Sequence, residues 1–180
     1  KEWTGSASVG FTAHDKSTFG NGHHGNFFVS GPLVQDKLGL QVYGGADYRP
    51  EDNIIGGSNR NKNRNINAKL SFTPTDKQTF ILEGGRHLLE KQETPGKSLA
   101  LTTTRGASVA QNQPGATHAI RNHWSLTHQA DWDMMSSELS LYQEKAKREV
   151  STNGVVDSRK PEITNTVFDA KFMLPVANHF

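Results

Sequence analysis

The chain has 180 residues, enough for one ordinary domain or one part of a larger one. Its formal net charge of +2, with no run of basic residues, offers no electrostatic basis for nucleic-acid binding. It contains no Cys, which excludes a disulfide framework and a thiolate site, and no run approaches the roughly 18 apolar residues of a membrane helix.

The predicted elements are strands. Trp3, Gly5, Ala7, Val9, Phe11 and Ala13 alternate with Glu2, Thr4, Ser6, Ser8 and Thr12, so a first strand is expected over Glu2–His14. A polar connection, Asp15–His24, leads to a hairpin over Gly25–Arg49. Pro32 and Asp36-Lys37 mark its turn. Pairing apolar with apolar across that turn sets Leu33 on Leu38, Gly31 on Leu40 and Val29 on Val42.

A long polar segment, Arg49–Lys62, precedes a strand at Asn63–Thr73, with Ile66, Ala68, Leu70 and Phe72 on one face. Pro74–Lys77 turns the chain into Gln78–Leu89. That hairpin sets Phe72 on Phe80, Leu70 on Leu82 and, on the polar face, Lys69 on Glu83. Glu90–Thr117 is a second long segment, of a length that is normally functional. Strands follow at His118–Trp132 and Ser137–Lys147, joined by a turn at Asp133–Ser136. Arg148–Glu162, with Asn153-Gly154, is a third long polar segment. Ile163–Leu174 is the eighth strand, and Pro175–Asn178 is a short turn into a strand beginning at His179-Phe180.

Long and short connections thus alternate strictly. The fold class expected is all-β, an antiparallel up-and-down meander of about eight strands, part of a transmembrane β-barrel with short turns at one end and long loops at the other. Trp3, Phe72, Phe80 and Trp132 all fall beside the short turns, where an interfacial aromatic girdle belongs. The mean hydropathy of −0.66 fits, because lumen and loop residues of such barrels are polar. Trp3, Leu40, Leu70 and Trp124 are then expected to face lipid. Two alternatives are a soluble antiparallel β binding module and a passive porin-type channel.

Catalytic constellations are sparse, and no enzyme, metal site or cofactor is expected. His123 and His128 differ in parity and face opposite sides of one strand. His23-His24 reads as a solvated loop. Ser108, His87 and Glu90 lack triad spacing. Lys69, Glu83, Asp131, Glu138, Asp169 and Lys171 share the polar face and read as a ladder of charges in the lumen. The cations near the long segments are better site candidates. Arg60, Lys62 and Arg64 cluster at the end of one, Arg86 and His87 enter the next, and Arg105 lies near its middle. Cations at a pore mouth suit an anionic ligand, since Arg is a planar multidentate donor.

The pattern Ser30-Gly31-Pro32-Leu33, Leu38-Gly39 and Tyr43-Gly44, then Phe72-Thr73-Pro74, resembles the TonB-dependent outer-membrane receptors for ferric siderophores. Ser137-Glu138-Leu139, Leu141-Tyr142, Glu144-Lys145, Asn165-Thr166-Val167-Phe168-Asp169 and Leu174-Pro175 carry the likeness further. It is strongest to the catecholate subfamily that includes the colicin I receptor and the ferric enterobactin receptor. The resemblance implies a Gram-negative outer-membrane location, a ferric siderophore as ligand, uptake energised through TonB, and loops that colicins or phages exploit. It also implies a plug domain and a barrel of about 22 strands. The chain is therefore expected to be a fragment holding the first eight or so barrel strands, able to self-associate through its sheet edges. The ligand-binding residues expected in the extracellular loops are Arg60, Arg64 and Arg105.

Overall fold

A computed structural model describes residues 2–101 and 112–174. The described residues form nine strands: β1 (Thr4–Thr12), β2 (Gly22–Val34), β3 (Leu38–Arg49), β4 (Arg60–Thr75), β5 (Gln78–Glu93), β6 (Gly115–Asp131), β7 (Ser136–Thr152), β8 (Val155–Val156) and β9 (Glu162–Met173). Each long strand pairs antiparallel with the next, and β9 pairs with β7 beside the two-residue β8. This is the expected meander.

The expected registers hold away from the turns. Gly31 opposes Leu40, Val29 opposes Val42, Phe72 opposes Phe80, Leu70 opposes Leu82 and Lys69 opposes Glu83. Leu33 does not oppose Leu38. A bulge between Pro32 and Val34 sets Val34 there instead. Pro32 brings no backbone N–H to the ladder, and a bulge accommodates the interruption.

From β2 onward most strands run further than alternation predicted, chiefly at the long-loop end, whereas β1 is shorter than expected at both ends. β2 takes in His23-His24, so these are strand residues rather than loop residues. β4 begins at Arg60, so Arg60, Lys62 and Arg64 are strand residues too. β5 runs to Glu93, and β7 runs to Thr152 before Asn153-Gly154 turns it into β8. Asn153 and Gly154 both have positive φ, 50° and 78°, as a tight hairpin turn of this type needs. These extensions are invisible to hydropathy because pairing continues where both faces have become polar. The segment from Pro175 onward lies outside the described residues.

Among the described residues the sheet has no packed interior: Ala130 is its one buried hydrophobic residue. The apolar side chains stand on one face and are open, with Val9 90 %, Phe11 68 % and Phe168 69 % exposed. A soluble β module would have closed over this face, since covering one large apolar side chain is worth about 1.5–3 kcal/mol. The single-layer sheet leaves the face for lipid.

The outline of the apolar face gives the strand tilt. Phe11 ends it on β1, towards the long loops, and Phe168 ends it on β9. In register, Phe168 aligns through Leu141, Leu126, Leu82, Leu70 and Leu40 with Gly31. The Trp3 ring lies over Gly31. The boundary therefore falls from residue 11 to the level of residue 3 across the sheet, about 27 Å along a strand at ~3.4 Å per residue. The seven strand steps between β1 and β9 cover about 34 Å at ~4.8 Å each. The resulting slope of about 38° matches the ~35–45° tilt of strands in membrane barrels. Along this line the first polar outward residues are His23, Tyr48, Arg64, Arg86, Asn122, Gln143 and Thr166 on successive strands. The lower edge is aromatic, with Phe72 on Phe80, Phe80 on His128 and His128 against Trp132.

Candidate functional site

The opposite face is polar and is the lumen side. Lys69 opposes Glu83, and Glu138 opposes Lys171, so the expected ladder has its charges across from one another. Glu83 also accepts from the Tyr43 hydroxyl at 3.4 Å, and Glu138 accepts from Gln129 Nε2 at 2.9 Å.

Towards the long loops this face carries a concavity of about 410 Å³ between β5, β6, β7 and the approach to β9. Leu89, Ala119 and Ile163 supply apolar walls, and His87, Arg121 and Arg148 supply polar groups. Strand alternation aims them inward. Arg121 shares its parity with His123, Ser125 and Thr127, and Arg148 with Glu138, Ser140 and Glu144. The Arg148 backbone N–H donates to Pro161 O at 3.1 Å, which continues the β7–β9 pairing one step beyond Glu162 at the cavity's edge. The Arg148 side chain is exposed. Arg121 Nε stands 3.9 Å from Glu144 Oε2, a long contact, while Glu144 accepts a 2.6 Å bond from the Tyr142 hydroxyl. The Arg121 fork is thus oriented by Glu144 but not consumed by it. Arg148 also borders a more polar hollow of about 310 Å³ lined by Asn59, Lys91, Glu93 and Thr117. Two guanidinium groups beside apolar walls can hold an anion that also presents flat apolar surface.

The arginines singled out from the sequence are placed differently. Arg60 and Arg64 have the parity of Ile66, Ala68 and Leu70, and so lie on the outward face. Arg60 Nη1 donates to Gln92 Oε1 at 2.9 Å and its guanidinium sits 5.9 Å from the Tyr48 ring centroid. Arg64 Nη2 donates to Glu90 Oε1 at 2.5 Å. Arg105 and Ser108 lie outside the described residues. His87 bonds Asn63 on the lumen side while Glu90 bonds Arg64 on the outward side, so these two cannot act on one substrate atom. Reading β7 as ending at Lys147 hid Arg148, while Arg121 lay within an expected strand and its parity was the signal that could have found it.

Three of the long connections are tied together by two adjacent carboxylates. Asp52 is 2 % exposed. It accepts from Gly20 N and Ser58 N, each at 2.8 Å, and from Arg49 Nη2 at 2.9 and 3.0 Å. Asn53 N donates to Thr18 O at 2.7 Å, so the β1–β2 and β3–β4 loops are joined. Glu51 reaches the other way, accepting from Thr94 N at 2.5 Å and Ser98 Oγ at 2.6 Å, and Gly56 N donates to Ser98 O. Burial opposes ionisation of both carboxyls. For Asp52 the Gly20 and Ser58 amides and the Arg49 charge outweigh it, and for Glu51 the bonds from Ser98 and Thr94 do. Both therefore sit below the ordinary carboxylate range.

No family model matches the chain. It is 32 % identical, over 99 % of its length, to an iron-regulated outer membrane virulence protein of Vibrio cholerae. It is 26 % identical over 91 % of its length to an Acinetobacter baumannii protein named "Probable TonB-dependent siderophore receptor PirA". Its fold superimposes on the crystal structure of the siderophore receptor PirA from that organism with a TM-score of 0.67, at 20 % identity, covering 95 % of this chain and 27 % of that one. A mutant ferric enterobactin receptor, PfeA, from Pseudomonas aeruginosa gives 0.68 at 22 % identity, covering 94 % and 27 %. The chain spans about a quarter of these proteins, 26 % of the Vibrio relative and 23 % of the Acinetobacter one.

Proposed function

Starting from a chain that is homologous to outer-membrane siderophore receptors, and that is itself an outer-membrane β-sheet protein, we propose that it forms one arc of such a receptor's barrel and lines the route of a ferric siderophore. The relatives are named as receptors and outer-membrane proteins, and the sheet has the tilt, girdle and loop alternation of that architecture. Among the described residues the outer edges of β1 and β9 pair with no strand, and an unpaired ladder is open to one. Energisation through TonB belongs to this proposal for the whole receptor.

The lumen-side concavity carries the ligand reading. Arg121 and Arg148 beside Leu89 and Ile163 fit a bulky, multiply anionic complex with aromatic surface, which favours a ferric catecholate. Arg105 keeps a place in the proposal, within the long β5–β6 connection. Arg60 and Arg64 face away from the concavity and are not assigned to it.

The test is ferric-enterobactin binding by the receptor that carries this chain. Arg121→Gln with Arg148→Gln should weaken binding by roughly 10- to 150-fold for each charge-assisted bond lost, at ~1.5–3 kcal/mol per bond. Unchanged affinity at both low and high salt would remove the concavity from the site.

A further inference from the structure

Above the apolar belt, the outward face from β4 to β9 is not neutral. Among the described residues, Arg60, Lys62, Arg64, Arg86, Lys145 and Lys147 stand there against the carboxylates Glu90, Glu149 and Glu162. Siderophore binding in the lumen cannot use these cations, because strand alternation points them at the surrounding leaflet. Two of them sit at the belt's edge itself. Arg64 is the first polar outward residue of β4, and Arg86 that of β5. Arg64 opposes Leu88, which makes Arg86 its diagonal neighbour, with Cα atoms about 7–8 Å apart. Arg86 is exposed and makes no ion pair or side-chain hydrogen bond among the described residues. Arg64 is held from one side by Glu90, while its Nε is shielded from solvent and has no partner among the described residues.

Directly below Arg86 the outward face has a groove of about 280 Å³. Ala68 and Gly84 form its floor, and Leu40, Leu70, Leu82 and Trp124 its walls. A small-residue floor between large apolar walls is the shape that receives an acyl chain, and the two guanidinium forks at its upper end match a phosphate. A soluble anion would have no use for the groove, and a neutral lipid none for the arginines.

We infer that this face holds a phosphorylated, acylated lipid of the outer leaflet, with its phosphate between Arg64 and Arg86 and a chain along Ala68 and Gly84. The inference rests on the membrane reading of the sheet but not on the siderophore.

The experiment is native mass spectrometry of the receptor that carries this chain, in detergent micelles, titrated with bisphosphorylated lipid A and with the same lipid stripped of its phosphates. The wild-type protein should prefer the phosphorylated form by ~10-fold or more, as two charge-assisted contacts require. Arg64→Gln with Arg86→Gln should reduce that preference to within about threefold while leaving stripped-lipid affinity intact, which also shows that the variant is folded. Arg64→Lys with Arg86→Lys should recover only part of it, because the charge remains but the planar fork is lost. Ala68→Phe should weaken both lipids alike by filling the groove. A wild-type protein indifferent to the phosphates, or a Gln variant that keeps the preference, overturns the phosphate site. Lipid binding untouched by Ala68→Phe overturns the acyl groove. Displacement of lipid A by millimolar inorganic phosphate overturns the lipid assignment in favour of a soluble anion. Ferric-enterobactin affinity in the Arg64 and Arg86 variants should equal that of the wild type, so failure here and failure of the lumen site are read separately.

Discussion

Asp52→Ala is the most informative single perturbation of the loop layer. The carboxylate is buried, accepts from two backbone N–H groups at 2.8 Å, and pairs with a partly exposed Arg49. Each charge-assisted amide bond contributes about 1.5–3 kcal/mol, and its loss leaves a shielded donor without a partner. The arginine pair adds at most about 1 kcal/mol, because one partner is solvated and Arg49 keeps its 2.8 Å bond to Ser58 Oγ. Deleting the carboxylate should therefore cost the local closed state about 3–5 kcal/mol, a factor of roughly 150 to several thousand in opening, at ~1.36 kcal/mol per tenfold. The assay is amide hydrogen exchange of the protein in detergent micelles. Gly20, Asn53 and Ser58 amides should lose protection by that factor, and the β4–β5 and β5–β6 ladders should keep theirs. Protection at Gly20 and Ser58 within fivefold of wild type would refute the staple. The same reasoning fixes the pH dependence. Asp52 and Glu51 have depressed folded-state values, so their contribution is complete above the unfolded values of about 4 and is lost as pH falls through the folded ones. The loops should stay joined at neutral pH and part in strong acid.

Glu51→Gln should loosen the other junction, exposing the Thr94 amide to exchange while leaving Gly20 protected; loss at both would mean that the two carboxylates act as one unit. Leu82→Arg places a charge midway across the belt and should destabilise the sheet in lipid vesicles by ~2–4 kcal/mol, whereas Ser125→Arg, on the lumen face of β6, should cost far less. Equal losses in urea unfolding would refute the distinction between the two faces, and a larger loss for Ser125→Arg would reverse it. Gly31→Val would drive a side chain into the Trp3 ring, and should cost ~1–3 kcal/mol by overpacking and move Trp3 out of the girdle. A Trp3 that brominated lipid still quenches as in the wild type would show that the ring does not depend on that gap.

Much of the architecture is written in the chain one residue at a time. A strand with lipid on one face and lumen on the other must alternate with period two, so the sequence alone located eight long strands, their order and their faces. Registers such as Gly31 on Leu40 and Phe72 on Phe80 followed from matching apolar to apolar across short turns. Beyond the bilayer that constraint ends. Arg60 to Asn65 and Glu149 to Thr152 pair as strand with no apolar face to announce it, and the bulge at Leu33 depends on how Pro32 meets its partner strand. The tertiary structure decided which cations share a surface. Arg121 and Arg148 are distant in sequence and come together because β6 and β7 pair with one fixed stagger. Arg64 and Arg86 meet outward for the same reason on β4 and β5. It also decided that Asp52 and Glu51, adjacent in the chain, reach opposite ways to different loops, since adjacent side chains need not point alike and Gly20 and Thr94 lie far off in sequence. Local chemistry sets the face of each residue; only the assembled register sets its neighbours.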